Sequence, residues 1–508
     1  MNIKRAKQEI KDTIAAYLQK DEYGTYVIPS IRQRPVLLIG PPGVGKTQIM
    51  EQISQECQIG LVAYTITHHT RQSAIGLPFI RQKEYGGREY SVTEYTMSEI
   101  VAAVYDKIEQ TGMPEGILFI DEINCVSETL APTMLQFLQG KTFGNHKIPE
   151  GWIIVTAGNP PEYNKSVREF DIVTMDRIRR IDVEPDYGVW KEYAVQAEIH
   201  PAILSYLSVR RDNFCQIETT VDGKLFATPR GWEDLSQLIQ VYEALGQKAD
   251  RELVGEYIQF PRIAKDFANY LELYHKYRDD YQVERILEGE ISEAAVDKLL
   301  HAAFDERISV VSLLLSGLNT EFCQACRTGG VLELRMSFLR ELLDRRTEEG
   351  PAAQFVQDFA GRVGAYRESW EKKQANGLLS RRDLRCLREV TEKLEEDLQE
   401  LRGKGAGTAK EAQEFLRERF GADSDGYERL VDQAGAMLEH AFDFMEVAFG
   451  NSQEMVLFVT ELNTGFYSVE FLQEYDCERY FRYNKELLFS EEERELGRLL
   501  DGKDQTKG

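Results

Sequence analysis

Up to residue 185, short unbroken apolar runs alternate with stretches in which apolar positions recur every three or four residues. The runs are 35–39 (PVLLI), 61–67 (LVAYTIT), 116–120 (GILFI), 152–157 (WIIVTA) and 180–183 (RIDV). Runs this short and continuous predict strands buried on both faces, hence a parallel sheet flanked by helices. Residues 78–95 break the alternation with polar and aromatic positions around Tyr85-Gly86-Gly87, which predicts a β-hairpin. A second turn-rich stretch, 140–151, precedes the fourth run.

Beyond residue 185 the helical period takes over, interrupted by a hairpin signal at Asp222-Gly223. Leu384, Leu387, Val390, Leu394, Leu398 and Leu401 form one apolar stripe on a long helix. Its simplest partner is the stretch 353–370, as a helical hairpin. Gly403, Gly405 and Gly407 end the stripe and read as a linker. No internal repeat in the roughly 20–50-residue range is apparent. The pattern divides the chain into an α/β region at 1–185, a helical lid at 186–277, a helical connection at 278–330 and a helical, acidic module at 331–508.

Composition narrows the function classes. The chain has 508 residues, 42% of them apolar, enough for substantial cores. Its formal net charge is −24, which weighs against a chain that coats nucleic acid by neutralising phosphates. Residues 411–500 hold 21 acidic and 8 basic side chains, a net −13, whose plainest reading is a solvated helical surface. No apolar run approaches the roughly 18–20 residues of a membrane span. Residues 1–7 lead into a charged amphipathic pattern without a signal-peptide core. Seven cysteines, an odd number, fit a reducing cytoplasm better than a disulfide framework.

The candidate chemistry clusters at the ends of the predicted strands. Gly40-Pro41-Pro42-Gly43-Val44-Gly45-Lys46-Thr47 matches G-x-x-x-x-G-K-[ST] in full, after a strand and before a helical pattern at 48–56. The glycines let successive N–H groups curl around a phosphate, and the helix N-terminus adds its partial positive charge. Lys46 is expected to reach the β/γ-phosphates of a nucleotide, and the Thr47 hydroxyl to ligate Mg²⁺. Asp121-Glu122 closes the third strand, where open α/β sheets place their ligands. Asp121 there suits the Mg²⁺ shell, and Glu122 suits a general base acting on water. The paired acids favour hydrolysis over simple binding. The lone Cys323-x-x-Cys326 lacks the second pair of ligands that a structural zinc needs, and His68-His69 lack the i,i+4 spacing of a zinc pair on one helix face.

Together these residues resemble the AAA+ ATPases: an α/β parallel-sheet P-loop core, an α-helical lid and a mainly α-helical C-terminal region. Thr156-Ala157-Gly158-Asn159 looks like the sensor-1 strand, which would set Asn159 to orient the attacking water. Asp176-Arg177-Ile178 resembles the D-R-F segment that carries the arginine finger, with Ile178 in place of Phe; Arg179 and Arg180 are adjacent alternatives to Arg177. Thr228-Pro229-Arg230 resembles the sensor-2 motif, with Arg230 at a lid helix start. Within AAA+, the hairpins expected at 78–95 and 140–151 are similar in placement to those of the MoxR-type branch. The resemblance covers residues 1–275.

The resemblance implies Mg²⁺-dependent ATP hydrolysis in a homo-oligomeric ring, a hexamer by family analogy. It further implies chaperone-like remodelling or maturation of a protein partner, such as one with a von Willebrand A domain. An AAA+ nucleic-acid motor or loader is the alternative, and the acidic balance weighs against it. A scaffold using nucleotide only as a switch is disfavoured by the intact Lys46, Glu122, Asn159 and Arg177.

Overall fold

The computed structural model describes residues 1–68, 74, 76–163, 167, 170–221, 223–343, 351–405 and 407–487. Of the sequence expectations, those on His69, Asp222 and 488–508 lie outside the described residues. The chain separates into two units, 1–189 with 368–384, and 190–367 with 385–508.

The first unit is built on five parallel strands, β1 (Val36–Ile39), β2 (Gly60–Thr65), β5 (Gly116–Asp121), β8 (Trp152–Gly158) and β9 (Arg179–Asp182), in the order β2-β5-β8-β1-β9. The expected strands therefore stand within a few residues of their predicted bounds. Alternate residues of each strand supply opposite faces. Leu37, Leu118, Ile120, Trp152 and Ile154 pack on one side with Val104 of helix Glu99–Thr111 and Phe137 of helix Ala131–Gly140. Val36, Leu38, Phe119, Ile153 and Val155 pack on the other with Ile10 of helix Ile3–Leu18 and Met50 of helix Lys46–Cys57. A strand flanked on both faces has no polar side to show, hence the unbroken apolar runs.

The two expected hairpins are present: β3 (Pro78–Tyr85) with β4 (Arg88–Tyr95), and β6 (Thr142–Phe143) with β7 (His146–Lys147). Residues 368–384 join this unit from far along the chain. Gln55 Nε2 donates to Gly377 O and Leu379 O, and Lys107 Nζ to Asn376 O.

The second unit is helical apart from the hairpin β10 (Gln216–Thr220) and β11 (Gly223–Ala227). Helix Phe304–Leu343 runs 40 residues without a break. The boundary expected at 330/331 falls inside it, because apolar positions continue through Val331, Leu332 and Leu339. Phe355, Phe359, Val390, Leu394, Leu398 and Leu401 share one core, so the last four positions of the stripe pack on 353–370 as expected, while Leu384 and Leu387 are only partly buried and lie outside that core. Helix Arg381–Lys404 ends at the glycines, with Gly405 at φ 66° and Thr408 capping helix Ala409–Phe449. Within this core, Arg335 is 1% exposed and Asp397 0%, paired at 2.5 Å. No helix among the described residues is long and apolar enough to cross a membrane.

Candidate nucleotide site

The loop between β1 and helix Lys46–Cys57 turns on Gly43 (φ 80°) and Gly45 (φ 88°), left-handed conformations that a Cβ would oppose. Gly45 is the N-cap of that helix, so the helix's first N–H groups open toward the loop. Lys46, 8% exposed, is held by three oxygens: Gly40 O and Pro41 O at 2.8 Å, and Asn159 Oδ1 at 3.0 Å. Lys46 and Asn159, 113 positions apart, thus meet directly. They meet because β1 and β8 are neighbours and both end there, with Ile39 opposite Gly158.

Asp121 ends β5, the next strand, and Glu122 follows it. Thr47 Oγ1 donates to Asp121 Oδ2 at 3.0 Å, and Glu122 N to Asp121 Oδ1 at 2.9 Å. Glu122 lies in the left-handed region (φ 57°), a conformation costing a non-glycine residue about 1–2 kcal/mol and found at functional sites. Its carboxylate takes a different partner from that of Asp121. Glu122 Oε2 accepts from Thr67 Oγ1 at 3.0 Å.

A further side chain, absent from the sequence expectations, braces the arrangement. Asn124 Nδ2 donates to Asn159 O at 2.7 Å, and its buried Oδ1 has no hydrogen-bond partner. A Cβ on Gly158 would meet that Oδ1 at 2.5 Å, so only glycine lets Asn124 close on Asn159. Thr67 and Asn124 belong to no motif; position just beyond β2 and two residues past Glu122 was the only available signal. A cleft of about 700 Å³ opens beside Gly40, Pro41, Asn124, Asn159 and Arg180, at the carboxyl ends of the strands. Burial, with Glu122 and Asp121 nearby, pushes the Cys125 thiol up from its ordinary value, so it is a poor nucleophile there.

The residues fit a magnesium nucleotide. The Thr47 hydroxyl and the Asp121 carboxylate lie within hydrogen-bond distance of each other and offer only hard oxygen donors, the set Mg²⁺ selects. The glycine-rich turn and the Lys46 ammonium suit phosphate.

Residues 36–177 match the family model of the ATPase family associated with various cellular activities (AAA). This segment is an AAA domain. No curated protein matches the chain significantly. The match begins on β1, takes in the phosphate loop, Asp121-Glu122 and Asn159, and ends at Arg177.

Around the end of the AAA match the three arginines differ. Arg177 is exposed and donates to the neutral Gln139 Oε1 at 2.5 Å. Arg179 binds Glu9 and Thr13 of helix Ile3–Leu18. Arg180 pairs with Asp182 at 2.7 Å. Ile178, standing where the resembled segment has Phe, is 5% exposed and packs in the core. In the second unit, Arg230 is exposed on the first turn of helix Pro229–Ala244, which Thr228 caps through Gly231 N at 3.2 Å. No carboxylate among the described residues pairs with Arg230. A cation at a helix N-terminus opposes the helix dipole, so a local stabilising role does not account for it.

Proposed function

We propose that this chain is a Mg²⁺-dependent ATPase of the MoxR-like kind, assembled head to tail in a ring and remodelling a protein partner. One observation carries the ATPase reading: Lys46, Thr47, Asp121, Glu122 and Asn159 converge on the carboxyl ends of the adjacent strands β1, β8 and β5. Gly40, Pro41, Pro42, Gly43, Val44 and Gly45 wrap the phosphates through backbone N–H groups, and Lys46 neutralises them. Thr47 and Asp121 hold the metal, which when bound offsets the charge that develops on the phosphate oxygens. Asn159 orients the attacking water. Glu122 accepts its proton, at an oxygen that Thr67 keeps in place until substrate arrives. Arg177 and Arg230 supply positive charge to the γ-phosphate, Arg177 from a neighbouring copy.

Glu122→Gln is expected to bind ATP as the parent does and to lose most turnover, since only water activation is removed. Lys46→Ala is expected to lose binding itself. Full turnover in the Glu122→Gln protein would overturn the assignment of the base.

The partner reading rests on the acidic C-terminal helices. Glu414, Glu418, Asp425 and Glu428 are exposed on helix Ala409–Phe449 and fall on one face by spacing. Such a stripe suits a basic protein face, a von Willebrand A domain being the family-implied example, and speeds encounter at low salt. Neutralising all four to Gln or Asn should weaken capture of that partner by the Glu122→Gln protein while ATP binding persists. Capture that is unchanged by the four substitutions and by salt refutes the stripe's role.

A further inference from the structure

The second unit holds a half-open cavity with no part in the chemistry above. It measures about 400 Å³, within the roughly 300–1,000 Å³ of small-molecule sites. Its wall is mainly apolar, from Leu204, Leu315, Phe322, Leu457 and Leu462. The wall is firm: Phe322 stacks on Phe471 with ring centroids 4.4 Å apart.

The charges at its rim are already matched. Lys191 pairs with Glu461, and Glu198 lies 3.6 Å from Arg385 Nη1. The hydroxyls are committed as well. Ser205 bonds Ser312 at 2.8 Å and Tyr270 Oη at 2.6 Å, Ser208 donates to Leu204 O, and Ser468 to Leu462 O. Asn319 differs: its amide lines the space and makes no hydrogen bond to a described residue. At the edge, Glu198 is held at φ 55°, its carbonyl accepting from Gln240 Nε2 at 2.5 Å. Non-glycine residues fixed in this region concentrate at ligand clamps and switch regions.

We propose that this space is a binding site for an uncharged, mainly apolar small molecule carrying one polar group for the Asn319 amide. A charged ligand would leave water and meet no unmatched counter-charge, which is costly. An apolar body fills the wall, and the one free amide fixes its orientation.

The test uses the full chain and the neutral fluorophore N-phenyl-1-naphthylamine, whose single N–H suits Asn319. Expected is saturable binding of one dye per chain, with N-ethylmaleimide labelling of Cys323, which lines the space, slowed by bound dye. Leu315→Trp, which fills the space, should weaken binding at least tenfold. Asn319→Leu should weaken it about fivefold, the loss of one hydrogen bond. The anionic analogue 8-anilinonaphthalene-1-sulfonate should bind at least tenfold more weakly than the neutral dye. Should Leu315→Trp fail to fold, Cys323 protection in the parent chain decides alone. Non-saturable binding, or equal Cys323 labelling with and without dye, overturns the site. Equal affinity for the anionic dye overturns the uncharged class, and an unaffected Asn319→Leu protein overturns the polar anchor.

Discussion

Lys141 offers a direct test of how the AAA domain balances burial against charge. It is 3% exposed, at φ 50° just past helix Ala131–Gly140. Its Nζ donates to Gln33 Oε1 at 2.8 Å and to Trp152 O at 3.0 Å. Burial pulls its pKa down from 10.5 to about 8, with Lys147 adding to the fall and Glu150 opposing it. Between pH 8 and 10.5 the unfolded chain still holds this proton and the folded chain has released it. Stability therefore rises with pH through that window. The gain is complete above pH 10.5 and lost as pH falls through 8. At about 1.4 kcal/mol per pH unit, the window amounts to about 3–4 kcal/mol. Lys141→Met removes the titration and leaves two buried acceptors short of a donor, at a pH-independent cost of about 1–3 kcal/mol each. Urea unfolding of both proteins at pH 7.5, 8.5, 9.5 and 10.5, followed by tryptophan fluorescence, isolates the lysine, because other titrating groups cancel in the difference. The parent should gain about 3 kcal/mol on the variant across the series. A difference that is flat with pH, or that shrinks, refutes the reasoning.

Two further perturbations test the packing behind the site and the tail. Gly158→Ala drives a Cβ to 2.5 Å from Asn124 Oδ1; overpacking of this kind costs about 1–3 kcal/mol. Because Asn124 braces Asn159, turnover should fall while ATP affinity holds, as nucleotide titration and steady-state hydrolysis would show. Asp397→Ala strips Arg335 of its fully buried partner and should cost about 3–5 kcal/mol, read as a lowered urea midpoint; a loss below about 1 kcal/mol would mean that Asp423, which also binds Arg335, carries the charge alone.

What the sequence disclosed follows from the range of each interaction. β5 reads directly because both faces are buried and its five apolar residues are contiguous. The phosphate loop reads directly because its chemistry is set by neighbours within eight positions. Contacts made across the fold leave no local trace. Nothing near Gln33 announces that Lys141 will reach it from 108 positions away. Nothing in residues 368–384 announces that they join the first unit. The boundary expected at 330 has the same origin. A shift in composition marks a change of surface, and a single helix carries its apolar positions straight through it.

The choice among Arg177, Arg179 and Arg180 shows what geometry adds to a motif. In sequence the three are near-equivalent cations around one strand start. A finger must leave its resting partner to meet a neighbour's phosphate, so the cost of leaving ranks them. Arg179 would break contacts to Glu9 and Thr13, and Arg180 its 2.7 Å pair with Asp182. Arg177 would give up a bond to the neutral Gln139 and a through-space attraction to Asp171, with no direct ion pair, from an exposed position. An ion pair already offsets its guanidinium's charge at rest, whereas a bond to a neutral amide does not, so Arg177 keeps the charge most available to a neighbour's phosphate. Arg177→Ala should therefore lower turnover on the scale of other trans-acting fingers, about 10³–10⁵-fold, with ATP affinity little changed. Arg180→Ala should lower it by less than tenfold. Mixing decides whether the arginine acts across a boundary between copies. Arg177→Ala and Glu122→Gln proteins, each inactive alone, should regain hydrolysis together, because a junction between them unites one intact Glu122 with one intact Arg177. A mixture as inactive as its components would place Arg177 outside the neighbour's site, and an active monomer at sedimentation equilibrium with ATP would remove the need for a neighbour altogether.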